Sequence, residues 1–226
     1  MKVTRSDYAR ALEIYPWQER TPSSSCHTAN ITQTSPLTLE VLKKTVANCT
    51  ACALHQTRTH TVFGEGNTSA NIMFIGEAPG FNEDQQGKPF VGKAGQLLTA
   101  MLKAINFTRE EIFIANVLKC RPPNNRDPLP DEIKLCTNYL NQQINLIKPN
   151  LLVALGRIAA HYLLQTKTSL ESMRQKQHVF GEAQTPLIVT YHPAYLLRNP
   201  ADKRKAYQDL LMIRATFDEL IIHHNK

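Results

Sequence analysis

The chain has 226 residues, 26 Lys+Arg against 19 Asp+Glu for a formal net charge of +7, and a hydrophobic fraction of 42%. That is enough for one packed α/β domain with an appendage and too little for two full domains. No stretch approaches the roughly 20 consecutive apolar residues of a membrane span, and Met1–Arg20 is charged throughout, without the apolar core of a secretory signal. These features exclude a membrane partner and make a cytoplasmic location the expectation, while the basic excess favours a polyanionic partner.

Residues 1–35 differ in kind from residues 36–226. Thr21-Pro22-Ser23-Ser24-Ser25 and Thr32-Gln33-Thr34-Ser35-Pro36 read as a polar flexible linker. Ahead of it, Tyr8, Leu12, Ile14, Tyr15 and Trp17 supply apolar surface enough for a short element, read as a helix packed back on the core, as simple disorder or as a peptide that binds a partner protein.

From Leu37 the pattern becomes regular. Leu39, Leu42 and Val46 predict a short helix leading into Cys49 and Cys52. Four apolar runs, Ile72–Ile75, Ile112–Val117, Leu151–Leu155 and Leu187–Thr190, read as buried parallel strands. Helical patterns separate them. The first carries Leu97, Leu98, Met101, Leu102 and Ile105, and the second starts near Pro130-Asp131 and carries Ile133, Leu140, Ile144 and Ile147. The third covers Ile158–Leu164, and a last helix from about Ala201 to Ile221 turns Tyr207, Leu210, Leu211, Phe217 and Ile221 inward. Alternating strands and helices imply a parallel sheet with helices on both faces, whose ligands sit beyond the carboxyl ends of the strands.

The segments after those strand ends carry the chemistry. Gly76-Glu77-Ala78-Pro79-Gly80, followed by Gly87-Lys88-Pro89-Phe90-Val91-Gly92, pins a carboxylate at a strand end among glycines that admit a ligand; an ordinary strand-to-helix turn would look similar. It is no phosphate-binding P-loop, since the Gly-Lys-Ser/Thr ending is missing. Asn116, inside an apolar strand, must satisfy its amide or offer it to a base edge. Arg121 and Arg126 follow in a Pro/Asn-rich loop suited to phosphates. His192, fixed by Pro193, can donate to a developing negative charge. Tyr195, Leu196 and Leu197, flanked by Arg198, combine an apolar wedge with a basic edge, as entry into a duplex requires.

The chain has five cysteines. Cys49 and Cys52 flank a two-residue spacer, Cys120 and Cys136 lie far downstream, and Cys26 is left over. Four thiolates gathered from distant parts of a chain suit a tetrahedral zinc or an iron–sulfur cluster. Spacing alone leaves the two open.

In unbroken order from Leu37 to Phe217, these motifs resemble the family-four, iron–sulfur uracil-DNA glycosylases. The resemblance implies a three-layer α/β/α sandwich on a four-stranded parallel sheet, stabilised by a 4Fe–4S cluster on Cys49, Cys52, Cys120 and Cys136. It implies a monomeric base-excision-repair hydrolase that flips uracil from single- or double-stranded DNA and cuts the N-glycosidic bond, leaving an abasic site. Phe90 would stack on the uracil in a pocket that includes Gly76 and Ala78. Asn116 would bond its Watson–Crick edge, His192 would donate to O2, and Glu77 would act on the sugar side as water activator or cation stabiliser. Ala78 stands where the better-known glycosylases carry a catalytic Asp. Glu83 would approach C5 and exclude the methyl of thymine. Two rivals are weighed: a covalently trapping relative, whose inserted basic loop is missing between Val91 and Leu98, and a non-catalytic iron–sulfur DNA-binding module, which needs no Glu, Asn and His at three strand ends.

Overall fold

The computed structural model describes residues 37–224. The readings of residues 1–35 as a linker and docking or partner-binding element, and of Cys26 as surplus, lie outside the described residues. In chain order the elements are α1 (Leu39–Ala47), β1 (Glu65–Gly66), β2 (Ile72–Gly76), α2 (Phe81–Gln86), α3 (Lys93–Lys103), β3 (Phe113–Asn116) and α4 (Pro130–Ile147). There follow β4 (Leu151–Leu155), α5 (Arg157–Leu164), α6 (Leu170–Met173), β5 (Gln177–Phe180), β6 (Thr185–Thr190), α7 (Pro193–Arg198) and α8 (Lys203–His224).

The four expected strands form the parallel centre of the sheet, in the order β3-β2-β4-β6. The sheet itself is six-stranded and mixed rather than four-stranded, because β1 pairs antiparallel with β3 and β5 antiparallel with β6. The reason these edges escape a search for apolar runs is physical. β1 is only two residues long, and β5 alternates exposed and half-buried positions, whereas β2 and β4 are buried at every position.

Both sheet faces are covered, giving the three layers. Met73, Ile75, Ala115, Leu152, Ala154 and Val189 point to one face and meet Leu42 and Val46 of α1, Leu140 and Ile144 of α4, and Ala159 and Leu163 of α5. Ile72, Phe74, Ile114, Val153 and Ile188 point to the other, against Leu98 and Leu102 of α3 and Leu210 and Ile213 of α8. At about 25 cal/mol per Å² of apolar surface removed from water, this double burial drives the fold.

Helix α8 corrects one expectation. Tyr207 and Leu211 are exposed, and Ala206, Leu210 and Ile213 face inward. Hydropathy does not distinguish these neighbouring stripes; a buried charge does. Asp209, fully buried, accepts from Arg174 Nε at 2.7 Å and Nη2 at 3.0 Å and from Thr190 Oγ1 at 2.9 Å, which turns its own side of the helix to the sheet.

The crossover from β2 to β3 runs one way along the sheet, and those to β4 and β6 run the other. A crevice therefore opens beyond the carboxyl ends of the central strands, at this reversal.

Candidate active site

Glu77 directly follows β2, Asn116 ends β3, and His192 lies two residues beyond β6. Together with Ala78, Glu83 and Phe90 they line one cavity of about 370 Å³. Arg126, Tyr195 and Arg198 also line it.

Two glycines make this convergence sterically feasible. A Cβ on Gly76 would collide with Asn116 Oδ1 and come within 2.7 Å of Phe90 Cζ, so its missing side chain is the space between ring and amide. A Cβ on Gly156 would lie 2.7 Å from His192 Cβ, and its φ of 87° is one that other residues rarely adopt. Gly156 is absent from the sequence-predicted site. Its only signal was a glycine directly after the Leu151–Leu155 run.

Asn116 is 2% exposed, and its Oδ1 has no hydrogen-bond partner among the described residues. An orphaned buried acceptor costs about 1–3 kcal/mol, which a ligand N–H in the cavity would recover. Its main-chain carbonyl accepts from Lys119 Nζ at 2.8 Å, and the same ammonium donates to Gln143 Oε1 at 2.6 Å. Burial pushes Lys119 down to about 8, opposed by the nearby Cys136.

His192 caps α7, its Nδ1 accepting from the Ala194 N–H at 3.1 Å. The ring hydrogen is thereby assigned to Nε2. Burial pushes the imidazole down to about 4, with Arg198 acting the same way and Glu83 opposing, so the ring is neutral at physiological pH. It lies 5.6 Å from the Phe90 ring, tilted by 33°. For Glu77, burial and then the charge of Asp127 raise the carboxyl to about 7, against Arg157.

Phe90 has φ 53°, the left-handed region, at a cost of about 1–2 kcal/mol for a residue bearing Cβ. Glu83 holds the following peptides: its Oε1 accepts from the Val91 N–H at 3.0 Å and the Gly92 N–H at 2.9 Å. Glu83 therefore anchors the Phe90 segment besides lining the cavity.

The residues expected to face DNA divide. Arg126 forks onto Glu132 at 2.6 and 2.9 Å, and Glu132 in turn accepts from the Leu129 N–H at the start of α4, so that guanidinium is already paired. Arg121 donates to Asn125 Oδ1 at 2.7 Å and lies 5.1 Å over the exposed Phe81 ring. Arg198 is exposed. The expected apolar loop is the short helix α7, and helical geometry splits its three bulky residues. Leu196 is buried at 1% exposure in the core and is no wedge; Leu197 is 42% exposed. Tyr195 stacks on Tyr191 with centroids 5.3 Å apart and donates to Asp202 at 2.8 Å.

Cys49, Cys52, Cys120 and Cys136 line a second cavity, with Arg58 and Tyr139. Arg58 Nη1 donates to Cys120 Sγ and the Lys119 N–H to Cys136 Sγ, both at 3.2 Å. Donors aimed at sulfur suit thiolate ligands. Among the described residues no three His, Cys, Asp or Glu side chains form a ready single-ion site; the four thiols instead surround a shared space.

Residues 63–212 match the model of the uracil DNA glycosylase superfamily. The chain is 47% identical over 183 residues to a type-4 uracil-DNA glycosylase of Sulfurisphaera tokodaii, covering 78% of this chain and 83% of that protein. It is 42% identical to the type-4 enzyme of Archaeoglobus fulgidus, over 77% of this chain and 91% of that one, and 43% identical to that of Thermotoga maritima, over 73% and 86%. With these similarities laid over a strand-end pocket of Glu, Phe, Asn and His, the chain belongs to the uracil-DNA glycosylase superfamily, among the type-4 uracil-DNA glycosylases.

Proposed function

We propose that this protein is a DNA-repair hydrolase that takes uracil out of the DNA stack and cleaves its N-glycosidic bond in the cavity lined by Glu77, Phe90, Asn116 and His192. The observation that carries the reading is the orphaned Oδ1 of Asn116, buried between strand end and cavity. Uracil presents an N3–H donor beside its O4 acceptor, which an amide pairs with both its oxygen and its nitrogen; cytosine presents the reverse pattern. Flipping is required because the bond is inaccessible within the duplex.

Cleavage leaves charge at both ends of the breaking bond. On the base side, the neutral His192 donates its Nε2–H toward O2 as the uracil anion forms. One aligned donor to a developing oxyanion is worth about 3–4 kcal/mol. On the sugar side, Glu77 in its ionised form balances the cation or orients water. Phe90 stacks on the flipped base, and Glu83 bounds the cavity where C5 and a thymine methyl would come. Arg121 and Arg198 meet phosphates, and Leu197 enters the gap left by the flipped nucleotide. The donors to Cys120 and Cys136 support a 4Fe–4S cluster on the four cysteines. When bound, that group supplies covalent cross-links between the end of α1, the segment after β3 and α4, and takes no part in cleavage. Reduced cysteine ligands suit a reducing compartment such as the cytoplasm.

The test is release of free uracil from a uracil-containing oligonucleotide by the wild type and by Asn116→Ala. The wild type should release uracil and Asn116→Ala should lose that activity while still binding undamaged DNA. Uracil release unchanged in Asn116→Ala would overturn the assignment. A wild type that stays covalently attached to the DNA would favour the trapping relative, and one that binds without cleaving would favour the non-catalytic DNA-binding module.

A further inference from the structure

Eight described residues other than glycine have positive φ; seven are Asn, Gln or Lys, and the eighth is Phe90. A bulky aromatic stays in the left-handed region only where its surroundings over-determine it. Glu83 grips the two N–H groups after Phe90. The carbonyls before the grip are held from elsewhere. Arg109, in the segment between α3 and β3, donates from Nη2 to the Pro89 carbonyl at 2.8 Å and from Nη1 to the Phe90 carbonyl at 3.2 Å. One planar fork thus fixes two consecutive peptide groups, a geometry that a lysine cannot reproduce. From below, the Phe90 carbonyl rests on Gly95 of α3, where any Cβ would overlap it. Arg109 is itself steadied by Glu65 at 3.7 Å, which also pairs with Lys88 at 3.0 Å. It does not line the uracil cavity; it faces a separate surface cleft with Glu65, Gly66 and Glu110.

We propose that Arg109 is a positioning residue for uracil excision, acting through Phe90: its guanidinium clamps the Pro89 and Phe90 carbonyls and so holds the aromatic ring against the cavity. This rests on the reading of Phe90 as the stacking surface. Releasing the clamp lets the backbone relax toward negative φ, which swings the ring away from Gly76 and Asn116. Misplacement of a positioning group by about 1 Å can cost about a hundredfold in rate.

The experiment is a double-mutant cycle in the full chain, with single-turnover rates on a single-stranded uracil oligonucleotide, inhibition by free uracil, and DNA affinity measured together. Arg109→Ala should lower the chemical step by about one to two orders of magnitude and weaken inhibition by free uracil, with DNA affinity unchanged. In a Phe90→Ala background the same change should cost almost nothing further, since the ring it positions is gone. Arg109→Lys, which keeps the charge and loses the fork, should behave like Arg109→Ala and serves if the alanine variant does not fold. Phe90→Ala impaired, with Arg109→Ala adding its full loss on top, would overturn the inference and leave the stacking reading intact. Phe90→Ala at wild-type rate would overturn both.

Discussion

The Lys119 ammonium donates to the Asn116 carbonyl at 2.8 Å, so the residue just before Cys120 holds the backbone of the amide proposed to read the base. The same ammonium bonds Gln143 Oε1, whose amide nitrogen donates to the Phe63 carbonyl at 2.8 Å. This fully buried chain of polar groups joins the cysteine-lined cavity to the cavity proposed for uracil. Lys119→Met keeps the volume but leaves the Asn116 and Gln143 acceptors unpaired. It should destabilise the fold by about 1–3 kcal/mol and slow uracil release. Thermal unfolding and single-turnover rates check both; a variant with wild-type rate would mean that Asn116 is positioned without Lys119.

The raised carboxyl of Glu77 sets a pH dependence. With its pKa at about 7, the group is half ionised near neutrality, and if the anion is the working form the single-turnover rate should rise with pH through that value and then level. His192, held at about 4, stays neutral across that range and contributes no second inflection. Glu77→Gln should flatten the profile and lower the plateau by roughly two to three orders of magnitude, whereas His192→Ala should lower the plateau by a similar factor and keep the inflection in place. A pH-independent wild-type rate would remove Glu77 from the chemical step.

Leu196 and Leu197 are adjacent and should fail differently. Leu197→Ala truncates an exposed side chain, so folding should be intact and activity on duplex DNA should fall more than on single strands, where flipping costs less. Leu196→Ala opens a cavity in the core and should destabilise by about 2–5 kcal/mol, affecting both substrates alike. Comparing melting temperatures with the ratio of duplex to single-strand rates separates the two; equal losses on both substrates for Leu197→Ala would deny it the wedge role.

Iron content tests the cysteine reading. Freshly purified protein should be brown with about four irons per chain. Burial pushes the Cys136 thiol up to about 11, against the pull of Lys119, so loading the site must release protons. Removing the iron should lower the unfolding temperature before it affects base recognition. Colourless, fully active protein carrying one zinc would decide for the other metal.

The ion pair of Arg174 and Asp209 is 5% and 0% exposed at its two side chains. Asp209→Ala leaves the buried guanidinium with only the exposed carboxylate of Glu171, at 2.8 Å, and should cost about 3–5 kcal/mol. Arg174 also lies 4.3 Å over the Tyr191 ring and donates to its hydroxyl at 3.1 Å. The loss should therefore loosen the strand end that carries His192. Urea unfolding measures the first effect; a stability within about 1 kcal/mol of wild type would show that the pair is no more than neutral.

The four central strands are legible in the residues alone, since Ile72–Ile75 and Leu151–Leu155 must be buried on both faces and only a covered parallel sheet does that. Strand-end placement followed for Glu77 and His192, which stand just past an apolar run, whereas Asn116 lies inside its run and only the structure makes it the last residue of β3. The same residues in order carried the family resemblance. The rest was set by contacts between residues remote in sequence. Arg109 and Phe90 are 19 positions apart, and no local pattern announces that one guanidinium will span two carbonyls. That Arg126 forks onto Glu132 is not legible in its Pro/Asn-rich loop. Leu196 and Leu197 are chemically identical, and a single helical step of about 100° between neighbours puts one in the core and the other in solvent. Tyr207 and Leu211 lost the inward face of α8 to Ala206 and Leu210 because Asp209 had to meet Arg174, a pairing 35 residues apart.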